Sequence, residues 1–352
     1  KDEDYKQFYR ELYPYQFEEP LFHIHLNVDY PFNLTGILYF PKISNDLNLQ
    51  KDRIQLYQNQ VFVTDNVEGI VPEFLGLLKG VIDSPDIPLN VSRSYLQSDA
   101  SVKKITNYIT RKVADKLNSI FKNERENLES KWNDIKVVIE YGMLTEDKFY
   151  DKAESFNLYP TVDDKYFTYE ELEKKIKKLQ TDKDGNLIIL YAQNKDEQYT
   201  YIESAKEKGY EVLLLDSPII PHLMQKLESK KEKIKFSRVD SDTLENLIKK
   251  DEEVISKLTD EEKEKLKPMI ETAVENEKYT VQLEALDSNS MPFMLAQPEF
   301  MRRMKEMQQT GGGAMGNLPD MYSLIVNTNH ELVGKILNTR TEKKRNSLIK
   351  QS

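Results

Sequence analysis

Between Leu187 and Val239 short apolar runs alternate with helically spaced ones: strand-like stretches at 187–191, 212–215 and 234–239 are separated by helix-like stretches at 201–208 and 222–227. No other feature of the chain narrows the fold as far. Parallel neighbours cannot be joined by a tight turn, so each connection must cross over, and a helix is the usual crossover. The right-handedness of such crossovers then leaves a small parallel sheet with helices packed on it.

A second α/β unit is expected ahead of it. Tyr5, Phe8, Tyr9 and Leu12 fall at helical spacing behind Asp4, a fitting N-cap. Phe22, Ile24, Leu26 and Val28 alternate with His23, His25 and Asn27, the period of a half-buried strand. Further strands are expected at 36–40, 54–57 and 61–63. Pro72 then opens an expected helix through Phe74, Leu75, Leu77 and Leu78 to Val81, with Gly80 near its end. From Val102 to Ile120 apolar residues step by three or four over a long helix. Beyond Asp240 the composition turns to Lys, Glu and Asp, which places a domain boundary near 240–250, and Thr259 with Glu262 forms a capping box. A strand at 281–285, a Met-rich helix at 299–308, a Gly-rich loop at 311–316, a strand at 322–326 and a helix through Leu332 and Ile336 complete the chain. No repeat of solenoid period occurs.

Sixty acidic against fifty basic side chains give a net charge of −10, which repels phosphate backbones and anionic lipid. Neither nucleic acid nor a membrane is therefore expected as a partner. No window reaches the ~20 apolar residues of a membrane span. The absence of cysteine removes disulfides, thiolate chemistry and cysteine-ligated zinc, and it fits the reducing cytoplasm. The first residue is Lys1 and the last, Ser352, ends a basic helix-like stretch, so the chain is expected to be cut from a longer one at both ends.

Each residue pattern that suggests chemistry has a plainer rival. His23 and His25 share a strand face at a spacing some zinc sites use, but with four histidines in all and no third ligand nearby, no metal site is expected. Gly311, Gly312, Gly313 and Gly316 lack the Lys-Ser/Thr and the preceding strand of a phosphate loop. Asp163–Asp164 and Glu170–Glu171 suit helix starts better than acid/base work. Asp216 ends a strand where an α/β enzyme would place a catalytic carboxylate, yet no nucleophile, base and oxyanion set assembles around it. Phe300, Met301, Met304 and Met307 form an apolar stripe that faces either a core or an adaptable binding surface. Arg93 sits among apolar residues in a loop between 87 and 97, free to aim its planar fork at a phosphate or to pair with Asp99.

Four ordered runs decide between such readings. Gly36-Ile37-Leu38-Tyr39-Phe40-Pro41, Val61-Phe62-Val63-Thr64-Asp65, Pro72-Glu73-Phe74-Leu75 with Lys79-Gly80-Val81-Ile82-Asp83-Ser84, and Leu89-Asn90-Val91-Ser92-Arg93 with Leu96-Gln97 closely resemble the middle domain of the ninety-kilodalton heat-shock (Hsp90) chaperones, bacterial members above all. The chain departs from the family at Gln58, Asn59, Gln60 and Ser94.

The resemblance implies a combined α/β and α+β fold. Residues 1–240 correspond to a middle domain of two α/β/α sandwich units, about 1–95 and 181–240, joined by a helical coil at 96–180. Residues 241–352 correspond to a truncated α+β dimerisation domain. It also implies that ATP and Mg²⁺ bind in an N-terminal domain not represented here, so this chain alone is not expected to hydrolyse ATP or to dimerise well. Arg93 would reach the γ-phosphate, Gln97 would orient its loop, and Phe62, Ile87 and Leu89 would pack against the ATPase domain. Phe300, Met301, Met304 and Met307 would contact non-native client proteins; Trp132 is a secondary candidate for that contact, with a buried anchor as its favoured rival reading. A nucleotide-independent scaffold docking one partner through the Met-rich helix is the rival reading.

Overall fold

The structure is a computed structural model that describes residues 2–42, 54–67, 69–88, 99–251, 254–274, 279–311 and 321–351. The chain divides into two units: one holds 1–158, 166–169 and 217–223, the other 159–165, 170–216 and 224–352.

In the first unit, Asp2, Glu3 and Asp4 open helix α1 (Asp2–Leu12), where carboxylates offset the positive end of the helix dipole. Asp4 thus lies inside the first turn and is not its cap. Strands β1 (Phe22–Val28), β2 (Leu34–Phe40), β3 (Gln55–Gln58), β4 (Val61–Thr64) and β5 (Lys79–Asp83) form one sheet in the order β1-β2-β5-β3-β4. All neighbours run antiparallel except β3 and β5.

The segment after Pro72 differs from the helix its spacing predicts. Only Glu73–Leu77 turns, as a short 3-10 helix, and Lys79–Asp83 becomes the central strand. Gly80 is the reason. Its φ of +137° suits no side chain, and a Cβ there would lie 2.0 Å from the Ile37 carbonyl oxygen. Glycine lets β2 approach β5 closely, and the Gly80 N–H is taken by the Tyr13 hydroxyl at 2.8 Å.

Asp99 caps α2 (Ala100–Asn123), accepting from the Ser101 and Val102 N–H groups at 2.8 and 3.0 Å. Its face of Val102, Ile105, Ile109, Val113 and Leu117 is buried. Helices α3 (Arg125–Ser130), α4 (Trp132–Thr145) and α5 (Asp147–Ala153) follow, and the rings of Phe74 and Phe149 meet at 4.7 Å. Trp132, expected as a secondary client contact, is 1% exposed and is the buried anchor that opens α4.

Short strands β6 (Tyr159–Pro160) and β7 (Tyr166–Phe167) lead to α6 (Tyr169–Gln180). From 187 onward the predicted alternation appears as β8 (Leu187–Ala192), α7 (Tyr199–Glu207), β9 (Val212–Leu214), α8 (Ile220–Lys230) and β10 (Ile234–Arg238), then α9 (Leu244–Leu247). The sheet order is β10-β8-β9 and every pair is parallel. All six residues of the central β8 are buried, as its unbroken apolar run requires.

The Thr259–Glu262 capping box forms: the Thr259 N–H donates to the Glu262 carboxylate at 2.8 Å and the Glu262 N–H to the Thr259 hydroxyl at 3.3 Å, opening α10 (Asp260–Val274). Then come β11 (Tyr279–Glu284), β12 (Phe293–Ala296), α11 (Glu299–Gly311), β13 (Tyr322–Asn327), α12 (Glu331–Asn338) and α13 (Glu342–Gln351). Here the sheet is mixed, order β11-β13-β12, and Leu266, Ile270, Val281, Val326, Val333 and Ile336 fill its core. The fold is α/β and α+β.

Candidate functional site

Arg93, Gln97 and Leu89 lie outside the described residues, whereas the stems on either side of that stretch are described. On the leading side, Ile87 is buried and the Ser84 hydroxyl donates to the Asn33 carbonyl at 2.6 Å. The Asp86 carboxylate accepts from the Asn33 N–H at 2.6 Å. On the trailing side stands the Asp99 cap, whose carboxylate is already committed to two N–H groups of α2.

The β3–β4 hairpin is fastened to the leading stem. Asn59 and Gln60 turn it with φ of +49° and +67°. The Gln60 N–H donates to the Asp83 carboxylate at 2.7 Å, and the Gln58 side-chain amide to the Pro85 carbonyl at 3.1 Å. Two of the positions that depart from the family pattern therefore hold this hairpin in place. Phe62 is 55% exposed on β4, with its ring edge-on to Tyr57 at 5.7 Å.

A different arrangement surrounds α11. Its charged residues Glu299, Arg302, Arg303 and Glu306 recur at helical spacing and face inward, while Phe300, 71% exposed, and Met304 face outward with half-buried Met301 and Met307. One oxygen of Glu299 accepts from the Tyr191 hydroxyl at 2.7 Å, from Arg302 at 2.7 Å and from Arg303 at 2.6 Å. Its other oxygen accepts from the Arg238 N–H at 3.0 Å. Arg303 also donates to Glu228 at 2.8 Å and to the Phe236 carbonyl at 2.7 Å, and Arg302 to Glu306 at 2.6 Å and to the Tyr191 hydroxyl. Arg238 grips Asp240 through two bonds of 2.6 and 2.9 Å.

Burial works to raise the Glu299 carboxyl, but the Arg302 and Arg303 guanidiniums outweigh it and hold the group below the usual carboxylate range. Burial, then the Glu299 charge, push the Tyr191 hydroxyl far upward, so it stays a neutral donor. Tyr191 and Arg238 lie at the carboxyl ends of parallel strands β8 and β10, where open α/β sheets usually receive ligands. In this protein a carboxylate of its own chain occupies that edge.

The remaining candidates are accounted for by packing. Tyr5 stacks on His23 at 3.8 Å between ring centres and its hydroxyl lies 3.2 Å from His25 Nδ1, so both histidines lie against α1. Asp216 is exposed. Among the described residues no group of three His, Asp or Glu side chains is placed to hold a metal ion, and no helix is long and apolar enough to cross a membrane. Sequence reasoning passed over Glu299, Arg302 and Arg303, although their spacing was a signal on the opposite face of the Met stripe.

The family model described as Hsp90 protein matches residues 1–352. The chain is 56% identical over 341 residues to "Chaperone protein htpG" of Bacteroides fragilis, covering 96% of this chain and 50% of that protein. It is 54% identical over 347 residues to "Chaperone protein HtpG" of Porphyromonas gingivalis, covering 97% and 51%. With the Myxococcus xanthus protein of the same name the identity is 31% over 224 residues, 62% of this chain and 33% of the relative. The chain thus spans about half the length of the first two of these relatives, and it belongs to the Hsp90 family.

Proposed function

We propose that the chain supplies the middle and C-terminal parts of an ATP-driven protein-folding chaperone of the cytoplasm. The observation that carries this reading is more than half identity, along nearly the whole chain, to proteins named chaperone HtpG. Residues 1–240 act as the middle domain and 241–352 as the dimerisation domain, while ATP and Mg²⁺ bind in a separate N-terminal domain. Arg93 donates to the γ-phosphate and stabilises the charge that develops there in the transition state. Gln97 orients the loop, and Phe62, Ile87 and Leu89 seat the ATPase domain. The pinned stems at Ser84–Asp86 and at Asp99 support this role, because a phosphate contact works only when its geometry is set beforehand.

Clients bind at the outward stripe of Phe300, Met301, Met304 and Met307. Exposed thioethers repack around varied apolar partners, which suits non-native chains. Nucleotide turnover shifts a homodimer between populations of open and closed states.

Steady-state ATP turnover of the full-length parent and its Arg93→Ala variant, with ATP affinity measured alongside, tests the reading. A tenfold or greater fall, about 1.4 kcal/mol of transition-state stabilisation, with ATP still bound, is expected. Equal turnover without Arg93 removes the site assignment. A parent that binds no ATP favours a fixed scaffold, for which the firmly seated α11 is the supporting observation; such a scaffold binds one folded partner and few unfolded chains.

A further inference from the structure

On the first unit a groove of about 650 Å³ opens between the turn after β1, the first half of α2 and the start of α5. Its floor is apolar: Val28, Phe32 and Tyr108, with the ring of Phe32 edge-on to that of Tyr108 at 5.7 Å. Tyr30 stands in its wall at 88% exposure, an aromatic ring the fold itself does not cover. The groove's lining holds four cations, Lys104, Arg111, Lys148 and Lys152, and one carboxylate, Asp151, while Asp115 beside it is paired with Lys152. In a chain of net charge −10, that local reversal of sign is a selective feature.

The cations are partly ordered. Arg111 lies 5.6 Å from the centre of the Tyr108 ring, and the Tyr108 hydroxyl donates to the Asn27 carbonyl at 3.2 Å. Lys148 donates to the Asn107 side chain at 3.1 Å, and Lys152 pairs with Asp115 at 2.8 Å. Lys104 and Arg111 have no carboxylate partner among the described residues, so their charge is available to a ligand.

Their spacing indicates the ligand's shape. Seven residues along α2 separate Lys104 from Arg111 by ~10.5 Å. One compact phosphate does not span that length, whereas an extended peptide covers it in about three residues and alternates its side chains as it goes. We propose that this groove captures an extended acidic segment of another protein, with an aromatic or aliphatic side chain against the exposed ring of Tyr30 and flanking carboxylates on Lys104, Arg111 and Lys148. None of its lining residues belongs to 89–98 or to α11, and the proposal does not rest on the roles assigned to those segments.

The test is fluorescence anisotropy of a labelled peptide of repeated Asp-Glu-Phe triplets, titrated with the chain and with its Lys104→Glu/Arg111→Glu and Tyr30→Ser variants. All three substituted side chains are exposed, and an unchanged thermal midpoint verifies folding. Saturable binding is expected, weakened about tenfold or more by the charge reversal, weakened by Tyr30→Ser, and falling with added salt. An Asn-Gln-Phe peptide should not bind. Equal affinity for the charge-reversed variant, or for the neutral peptide, overturns the proposal. Tripolyphosphate binding more tightly than the peptide reassigns the groove to compact phosphates and overturns it as well.

Discussion

The hydroxyl of Tyr191 and the carboxylate of Glu299, 108 residues apart in sequence, meet at 2.7 Å. With Arg302 and Arg303 closing around the same carboxylate, the Met-rich helix is seated by charge and not by its apolar side. Glu299→Gln removes the buried charge that the two arginines share, leaving Arg302 only Glu306 and Arg303 only Glu228, while keeping the side chain's shape. It is expected to cost about 3 kcal/mol in denaturant unfolding, and to speed amide exchange in α11 more than in β8.

Two carboxylates give opposite signs with pH. The Glu299 carboxyl is held low in the folded state, so its stabilisation is complete above the ordinary carboxylate range and is lost as pH falls through the depressed value. Burial and then the Asp242 charge raise Glu284, so its contribution is present below the ordinary range and is lost as pH rises through the raised value. The difference in thermal midpoint between Glu284→Gln and the parent should therefore narrow as pH falls through that raised value. For Glu299→Gln the deficit should shrink only at more acidic pH.

Outward side chains can be removed without disturbing the seat beneath them. Phe300→Ser with Met304→Ser is expected to change stability by less than ~0.5 kcal/mol. The same pair should markedly weaken binding of a permanently unfolded polypeptide, as measured by light-scattering suppression of its aggregation. Full retention of that suppression would remove α11 as the client surface.

Trp132 is the chain's single tryptophan and is almost wholly buried. Trp132→Ala is expected to destabilise by roughly 3–5 kcal/mol through the cavity it leaves. The native protein should show blue-shifted emission that moves red on unfolding, a direct readout for the denaturation curves above.

Gly80→Ala places a methyl carbon 2.0 Å from a backbone oxygen of the neighbouring strand and forces a left-handed φ on alanine. A loss of more than ~2 kcal/mol is expected, seen as a lower denaturation midpoint or as insoluble expression.

The α/β stretch from β8 to β10 was legible because its signals are local: apolar runs of strand length separated by amphipathic turns. The capping box at Thr259 was legible for the same reason, since both partners lie within one turn. The strand Lys79–Asp83 was hidden because Phe74, Leu75, Leu78 and Val81 also satisfy a helical spacing, and only the approach of β2 decides the matter. Likewise, the stripe on α11 could be read from sequence but its direction could not. The partners that draw the charged face inward, Tyr191, Glu228 and Arg238, stand 108, 75 and 61 residues from their contacts on the helix. Arg93 stood out in the sequence as an arginine among apolar residues, but its spacing left a phosphate contact and a pairing with Asp99 equally open, because an isolated arginine carries no periodicity.

Seating a helix by guanidinium–carboxylate contacts while its sulfur-rich side looks outward makes both sides gain from warming. The penalty for stripping water from buried ions falls as temperature rises, and apolar association, weak in the cold, strengthens over the same interval. Heat should thus tighten the mount and strengthen apolar association at the outward face together.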